Sequence, residues 1–382
     1  MPAREQLTPR TPASPHNRDP GFHQSPTLLP MPRSALSKQL SLGLRAGDWV
    51  VVRSQSEILA TLGPDCRLDG LQFQPEMFEL CGRRLRVAKT AHKTCDTSIH
   101  NTGGRRLHDT VHLEGGRCDG GHHEGCQADC VFFWKEAWLQ RAEGSSPEVP
   151  PRADAPTPDD VMRARHAPGS DPADPVWVCQ TTSIYEASEP LPWWDTRQYI
   201  CDVSGGNHSF LHMAKLLLMS GYRKIVHLGI GYRFWVGLYN TLQRWRGGKP
   251  YPEIHGQVQK GTPTPAESLN LQPGEWVVVR SPKEIAATIT PDGFNRGMRY
   301  DPEMLKYCDE RYQVQSRVTK LIHEKTGKMT TMKTPCIRLE NVYCRAELTE
   351  SRLGCPRASS TYFREIWLRR ADSPAGMESK QS

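Results

Sequence analysis

No stretch of this 382-residue chain stays apolar for long enough to cross a bilayer as a helix. The N-terminus lacks the unbroken apolar core of a signal peptide, because prolines fall at 2, 9, 12, 15, 20, 26, 30 and 32. Together these absences point to a reducing cytoplasm, where twelve cysteines read as metal ligands or buried thiols before disulfides. Also missing are a Walker A loop, an HExxH helix, a GxSxG elbow and a paired-carboxylate signature, so no familiar enzyme class is specified. Gly229-Ile230-Gly231 is no dinucleotide fingerprint, since Phe234 takes the third glycine position and no strand precedes it. Acidic residues are absent between Asp202 and Glu253. Lys215, Arg223, Lys224, Arg233, Arg244, Arg246 and Lys249 lie there and alone equal the net charge of +7.

What is present is one module written twice. Gly47-Asp48-Trp49-Val50-Val51-Val52-Arg53-Ser54 recurs as Gly274-Glu275-Trp276-Val277-Val278-Val279-Arg280-Ser281. At the same offset Glu57-Ile58, Ala60-Thr61, Gly70, Pro75-Glu76-Met77 and Cys81 recur as Glu284-Ile285, Ala287-Thr288, Gly297, Pro302-Glu303-Met304 and Cys308. Both copies close alike, on Trp134-Lys135-Glu136-Ala137-Trp138-Leu139 and Phe363-Arg364-Glu365-Ile366-Trp367-Leu368.

These landmarks divide the chain. Residues 1–43 read as a Pro/Ser/Arg-rich disordered tail, 142–175 as a Pro-rich disordered linker, and 371–382 as a frayed end. Between them lie repeat A (44–141), a helical and aromatic-rich middle region (176–262) and repeat B (263–370). Each repeat opens on a β-branched strand, followed by a capping box, Ser54 to Glu57 or Ser281 to Glu284, that predicts a short helix. A second short helix is expected at each Pro-Glu-Met. A hairpin then runs from Arg84 to Thr97 and Arg105 to Glu114, turning at 101–104; its counterpart turns at Lys325-Thr326-Gly327-Lys328. The expected class is α+β, with two small β-rich repeats, either SH3-like barrels or open sheets, flanking the middle region. A pseudo-twofold between the repeats would place that region over their junction.

Cys118 aligns with Cys344, Cys126 with Cys355 and Cys81 with Cys308. Cys336 aligns with Thr110, which lies opposite Cys95 if the hairpin turns at Thr102-Gly103. Convergence of Cys81, Cys95, Cys118, Cys126 and Cys130 in repeat A, and of Cys308, Cys336, Cys344 and Cys355 in repeat B, would suit tetrahedral Zn²⁺ at Zn–S distances of about 2.3 Å. Ordinary buried thiols are the competing reading, and disulfide or redox chemistry a third. Repeat A adds His122 and His123 among its cysteines and glycines, whereas repeat B lacks histidine there. If one copy carries chemistry, it is therefore repeat A. Cys118-Asp119-Gly120-Gly121-His122 is similar to the Cys-Asp-Gly-Ser-His segment of CDGSH iron–sulfur proteins, a resemblance that implies an iron–sulfur cluster. That family also uses an upstream Cys-x-Cys, absent here, and this chain has Gly at the fourth position.

In the middle region Trp193, Trp194, Asp195 and Arg197 form an aromatic and charged cluster, suited to stacking on sugars or bases or to clamping domains together. The basic helical stretch with Arg223, Lys224 and Arg233 fits an anionic membrane surface, a nucleic acid or an acidic protein. It fits equally a packed helical hairpin with snorkelling cations. Over roughly 47–370 the chain resembles a family of bacterial proteins with no assigned function. The likeness rests on the GxWVxVRS, Pro-Glu-Met, Leu-Glu…Cys and Glu-x-Trp-Leu elements. It implies a bacterial, cytoplasmic protein, peripheral at the membrane if its basic helices bind lipid, and brings no reaction or ligand with it. The leading expectation is a metal-stapled binding or scaffold protein. Its rivals are a zinc metalloenzyme centred on His122 and His123, with Glu114 or Asp119 moving protons, and a nucleic-acid binder.

Overall fold

The computed structural model describes residues 33–95 and 103–373, and the chain is mixed α/β with several small antiparallel sheets. Local chemistry sets the element ends. Trp49–Val52 is a strand of three valines and a tryptophan that stops at Ser54, whose side chain caps the helix Gln55–Thr61. The Glu57 carboxylate returns the bond, accepting from the Ser54 N–H at 3.0 Å. Ser281 and Glu284 repeat this box at the helix Pro282–Ala286, with Pro282 in the first turn where a missing N–H costs nothing. Each Pro-Glu-Met opens a tighter 3₁₀ helix, Pro75–Leu80 and Pro302–Tyr307.

Strand pairing matches between the two segments. Trp49, Val50 and Val51 lie opposite Arg86, Leu85 and Arg84, and Trp276, Val277 and Val278 lie opposite Gln313, Tyr312 and Arg311. The other neighbour of each first strand is the closing strand, Leu139–Arg141 or Leu368–Arg370. Trp138 donates its indole N–H to Thr61 Oγ1, and Trp367 to Thr288 Oγ1, both at 3.0 Å. Glu136 accepts the N–H groups of Leu42, Gly43 and Leu44, and Glu365 those of Leu269 and Leu271. Behind these bonds each segment has its own core, one around Phe73, Trp134 and Trp138, the other around Tyr300, Phe363 and Trp367.

Several expectations are corrected. The first sheet curls into a half-barrel: Trp134–Lys135 and Leu139–Arg141 lie at opposite edges, joined by the single turn Glu136–Trp138. The hairpin register also differs. Cys95 pairs with Gly104, and Ala91 donates to the Thr110 carbonyl, so Thr110 and Cys95 are not partners. The expected turn at 101–104 lies partly outside the described residues.

The expected N-terminal tail is too long. Residues 1–32 lie outside the described residues, but Ala35–Gln39 is a helix and Leu40 is wholly buried in the first core. Within the expected linker 142–175, Pro158–Arg163 is a helix capped by Thr157, and Val161 is buried. Proline there sits at a helix start rather than preventing one. Of the expected C-terminal end, 374–382 lie outside the described residues.

A loop of the first segment contacts the second directly. Gln127 accepts from the Thr319 and Lys320 N–H groups and donates to the Lys320 and Arg317 carbonyls, adding itself to the strand Arg311–Ile322. Arg117 reaches the Ala358 carbonyl, and Tyr362 donates to the Ala128 carbonyl. Beside this seam Lys93, on Lys93–Cys95, is buried against Asp202 of the helix Arg197–Ser204 at 2.5 Å and donates to Leu353 O of repeat B at 2.7 Å. One ammonium thus ties three parts of the chain together. Lys93→Met leaves Asp202 buried without its ammonium, beside only the Asn207 amide and the His92 ring, with an expected cost of about 3–5 kcal/mol in urea unfolding. Arg84→Ala, which breaks an exposed pair with Glu143, is expected to cost under about 1 kcal/mol.

Candidate metal centre

The loop that docks on repeat B is Cys118–Cys130. Its ends are pinned by the Cys118 N–H to the Cys130 carbonyl at 2.8 Å and by a bridge between Arg117 and Val131. Inside it the chain coils so tightly that a Cβ on Gly120 would stand 2.0 Å from the Cys126 carbonyl oxygen, and Gly120 has φ of +74°. Only glycine fits there. His123 and Gly125 both donate to the Gly120 carbonyl, which turns the His123 side chain inward.

His123 is buried, and its Nδ1 lies 2.7 Å from Glu76 Oε1 while Nε2 faces the Val178 carbonyl at 3.2 Å. A carbonyl and an ionised carboxylate both only accept, so both ring nitrogens donate in this arrangement, and a metal at Nδ1 would replace the hydrogen shared with Glu76. The Cys118 sulfur completes a group in which one donor atom each from Glu76, Cys118 and His123 lie within 4.8 Å of one another. Glu76 Oε1 also accepts the His122 N–H at 3.2 Å, but buried Oε2 has no hydrogen-bond partner. Burial works to raise the Glu76 carboxyl; the bond and charge of His123, with neighbouring N–H groups, outweigh it and hold the group below its ordinary value. The Cys118 thiol is pushed far up, by burial first and then by the Glu76 charge and neighbouring cysteines. A cation at this point would neutralise the carboxylate and stabilise the thiolate together. Its other ring nitrogen already bonded to a carbonyl, His123 has the second contact typical of a ligating imidazole. Gln74 supports the sulfur, donating to Cys118 Sγ at 3.7 Å and accepting from the Gln180 N–H.

Repeat B keeps the frame and fills it differently. Glu303, the counterpart of Glu76, accepts three backbone N–H groups from Glu347, Leu348 and Thr349, just after Cys344. Burial raises this carboxyl against those bonds. Where repeat A offers a histidine ring and an unpartnered oxygen, repeat B offers only backbone.

Cys118 and His123 open onto a cavity of about 380 Å³ between the two repeats, which Cys126, Cys130 and Cys179 also line. Its far wall is Leu321–Lys325, Arg357, Ser359, Ser360 and Tyr362. Burial pushes the Cys130 thiol up to about 12 and raises Cys126, whose sulfur accepts the Ile322 N–H at 3.3 Å. All twelve cysteines are free.

The sequence expectations are met unevenly. Cys118 and His123 come together beside Glu76, and Cys126 and Cys130 share their cavity. His122 gives the site its backbone, donating to Glu76 and accepting from Arg165, and its ring is outside the three-donor group. Cys81 packs against the first core. Cys308 is buried in the second core beside the Tyr300 hydroxyl, and Cys336 against Met298 and Arg364. Cys95 crosses between the repeats to join Cys344 and Cys355. Four thiols therefore do not converge within each repeat. Glu76 and Cys179 were missed as site residues; the duplicated Pro-Glu-Met was the available signal for the first, and nothing marked the second. Glu114 and Asp119 are exposed and do not line the cavity, and Asp119 is engaged by the Gly121 N–H.

Asp195 is clamped by Arg197, at 2.7 and 2.9 Å, and by Arg106. Trp193 and Trp194 meet edge to face at 90°, and the Lys224 ammonium lies 3.0 Å from the centre of the Trp193 ring. Arg223 donates to the Leu348 carbonyl, and Arg233 is exposed.

No protein-family model matches the chain, and neither does any curated protein or solved structure.

Because the folded Glu76 carboxyl is held below its usual 4.5, its stabilising contribution is complete above that value and is lost as pH falls through the lower folded one. The melting temperature of the metal-free protein should therefore drop on acidification below about pH 4.5, and Glu76→Gln should flatten that drop. An unchanged acid limb in the variant would contradict this assignment.

Proposed function

We propose that the chain is a zinc-dependent ligand-binding protein built from two copies of one β-rich module. Repeat A holds a single Zn²⁺ through Glu76, Cys118 and His123, and repeat B is its structural partner. The observation that carries this reading is the buried, unpartnered Glu76 oxygen beside a thiol and an imidazole. One sulfur, one nitrogen and one carboxylate oxygen are ordinary zinc donors, and here they already lie within 4.8 Å of one another. An iron–sulfur cluster would call for more thiolates on one centre and for the His122 ring. Three protein donors leave a fourth position, and Cys118 and His123 face a cavity with room for a small molecule. That favours ligand capture by the metal over a closed staple. The expected proton carriers Glu114 and Asp119 lie off the cavity, so binding is better supported than hydrolysis.

Metal would displace the proton from the Cys118 thiol, so zinc affinity should rise with pH. Elemental analysis of protein purified without chelator should find one zinc per chain. Cys118→Ser and His123→Ala should lose it with circular dichroism retained, and Cys344→Ser should keep it. Gln74→Ala, which removes the bond to the ligand sulfur, should weaken zinc by about 10–100-fold. Absence of zinc uptake, or equal loss in Cys344→Ser, would sink the proposal.

A further inference from the structure

The cavity and its thiols leave unexplained a hairpin of two helices that the fold barely covers. Phe210–His227 and Tyr232–Arg246 turn at Leu228-Gly229-Ile230-Gly231. The first helix buries Met213 and Leu216 against Leu353 of repeat B, and the two helices meet through Tyr222, Trp235 and Tyr239. Their outward faces are apolar. Leu211, Leu218 and Ile225 recur every seventh residue on the first helix, and Phe234, Leu238, Leu242 and Trp245 fall three or four apart on the second. Leu211 is 79% exposed, Ile230 at the tip 81% and Trp245 87%. So many exposed large apolar side chains on two paired helices mark an interaction site.

Charge decides the partner. Lys215, Arg233, Arg244 and Arg246 are exposed around these stripes, and no acidic residue occurs between Asp202 and Glu253. Two copies of the hairpin face to face would bring like charges together, which opposes self-association through this surface. No described helix is long and apolar enough to cross a membrane. We propose that the hairpin lies flat in the interface of an anionic lipid bilayer, with its leucine and aromatic stripes among the upper acyl chains and its arginines at the lipid phosphates. Leucine, phenylalanine and tryptophan on one side with lysine and arginine beside them is the composition of an in-plane membrane helix. At 18 and 15 residues the helices are about 27 and 22 Å long, a broad flat footprint rather than a peg for a protein groove. The surface is independent of the zinc site, so either proposal can fail alone.

The test is sedimentation of the full chain with vesicles of phosphatidylcholine and phosphatidylglycerol, against phosphatidylcholine alone. Binding to the mixed vesicles is expected, at least about tenfold weaker on phosphatidylcholine alone and weakened again by salt. Leu218→Gln with Phe234→Gln, and separately Arg233→Glu with Arg244→Glu, should each lose about tenfold or more, with unchanged circular dichroism and zinc content. These positions are exposed, so folding should survive the changes. No binding to the mixed vesicles, or wild-type binding by both variants, would overturn the proposal. So would a dimer broken by the apolar pair, or capture by polyglutamate with the vesicles left empty, which would assign the face to a protein partner.

Discussion

A carboxylate taken out of water must find donors for both of its oxygens, and each repeat buries one at the start of its Pro-Glu-Met turn. In repeat B, Glu303 gathers three consecutive backbone N–H groups and so fixes the loop after Cys344. In repeat A, Glu76 holds the corresponding loop through one N–H and the His123 ring, and its second oxygen is left bare. The position of Cys118–Cys130, the inward histidine and the thiol-lined cavity all follow from that anchor. What distinguishes the two repeats chemically is the replacement of backbone donors by an imidazole around the same acid.

Residues of both segments build the cavity. Gln127 continues the hydrogen bonding of the strand Arg311–Ile322, Cys126 receives the Ile322 N–H, and Arg357 and Tyr362 complete the far wall. Burial that keeps the Cys118, Cys126 and Cys130 thiols protonated is thus partly supplied by the partner repeat. A metal ion placed there would offset the burial that holds the Cys118 thiol protonated. The Lys93–Asp202 pair holds the same seam from the other side, linking it to the helical region.

Elements set by short-range chemistry were legible from the sequence. The capping boxes at Ser54 and Ser281, the strands at Trp49 and Trp276 and the hairpin turn after Lys325 all fall where residue types alone place them. Cys118 and His123 were legible as candidate ligands because glycines and cysteines crowd around them. The pairing of Cys95 was not, since its partner depends on a hairpin register that no local residue pins. Cys81, Cys308 and Cys336 align with other cysteines or their facing positions yet sit in separate packing environments, which alignment cannot distinguish. Proline content hid the helix Pro158–Arg163, because the same residue that breaks a helix interior is favoured at its start. Glu76 stayed hidden for a different reason: a shared Pro-Glu-Met reads as a helix start, and only burial shows that its acid is unsatisfied.

The most direct measurement is zinc K-edge X-ray absorption on the purified protein. One sulfur near 2.3 Å with nitrogen and oxygen neighbours near 2.0 Å is the shell expected from Cys118, His123, Glu76 and one exchangeable ligand. A shell of three or four sulfurs would contradict it, because the metal would then be held by the cavity cysteines and the buried carboxylate would have no part in binding it.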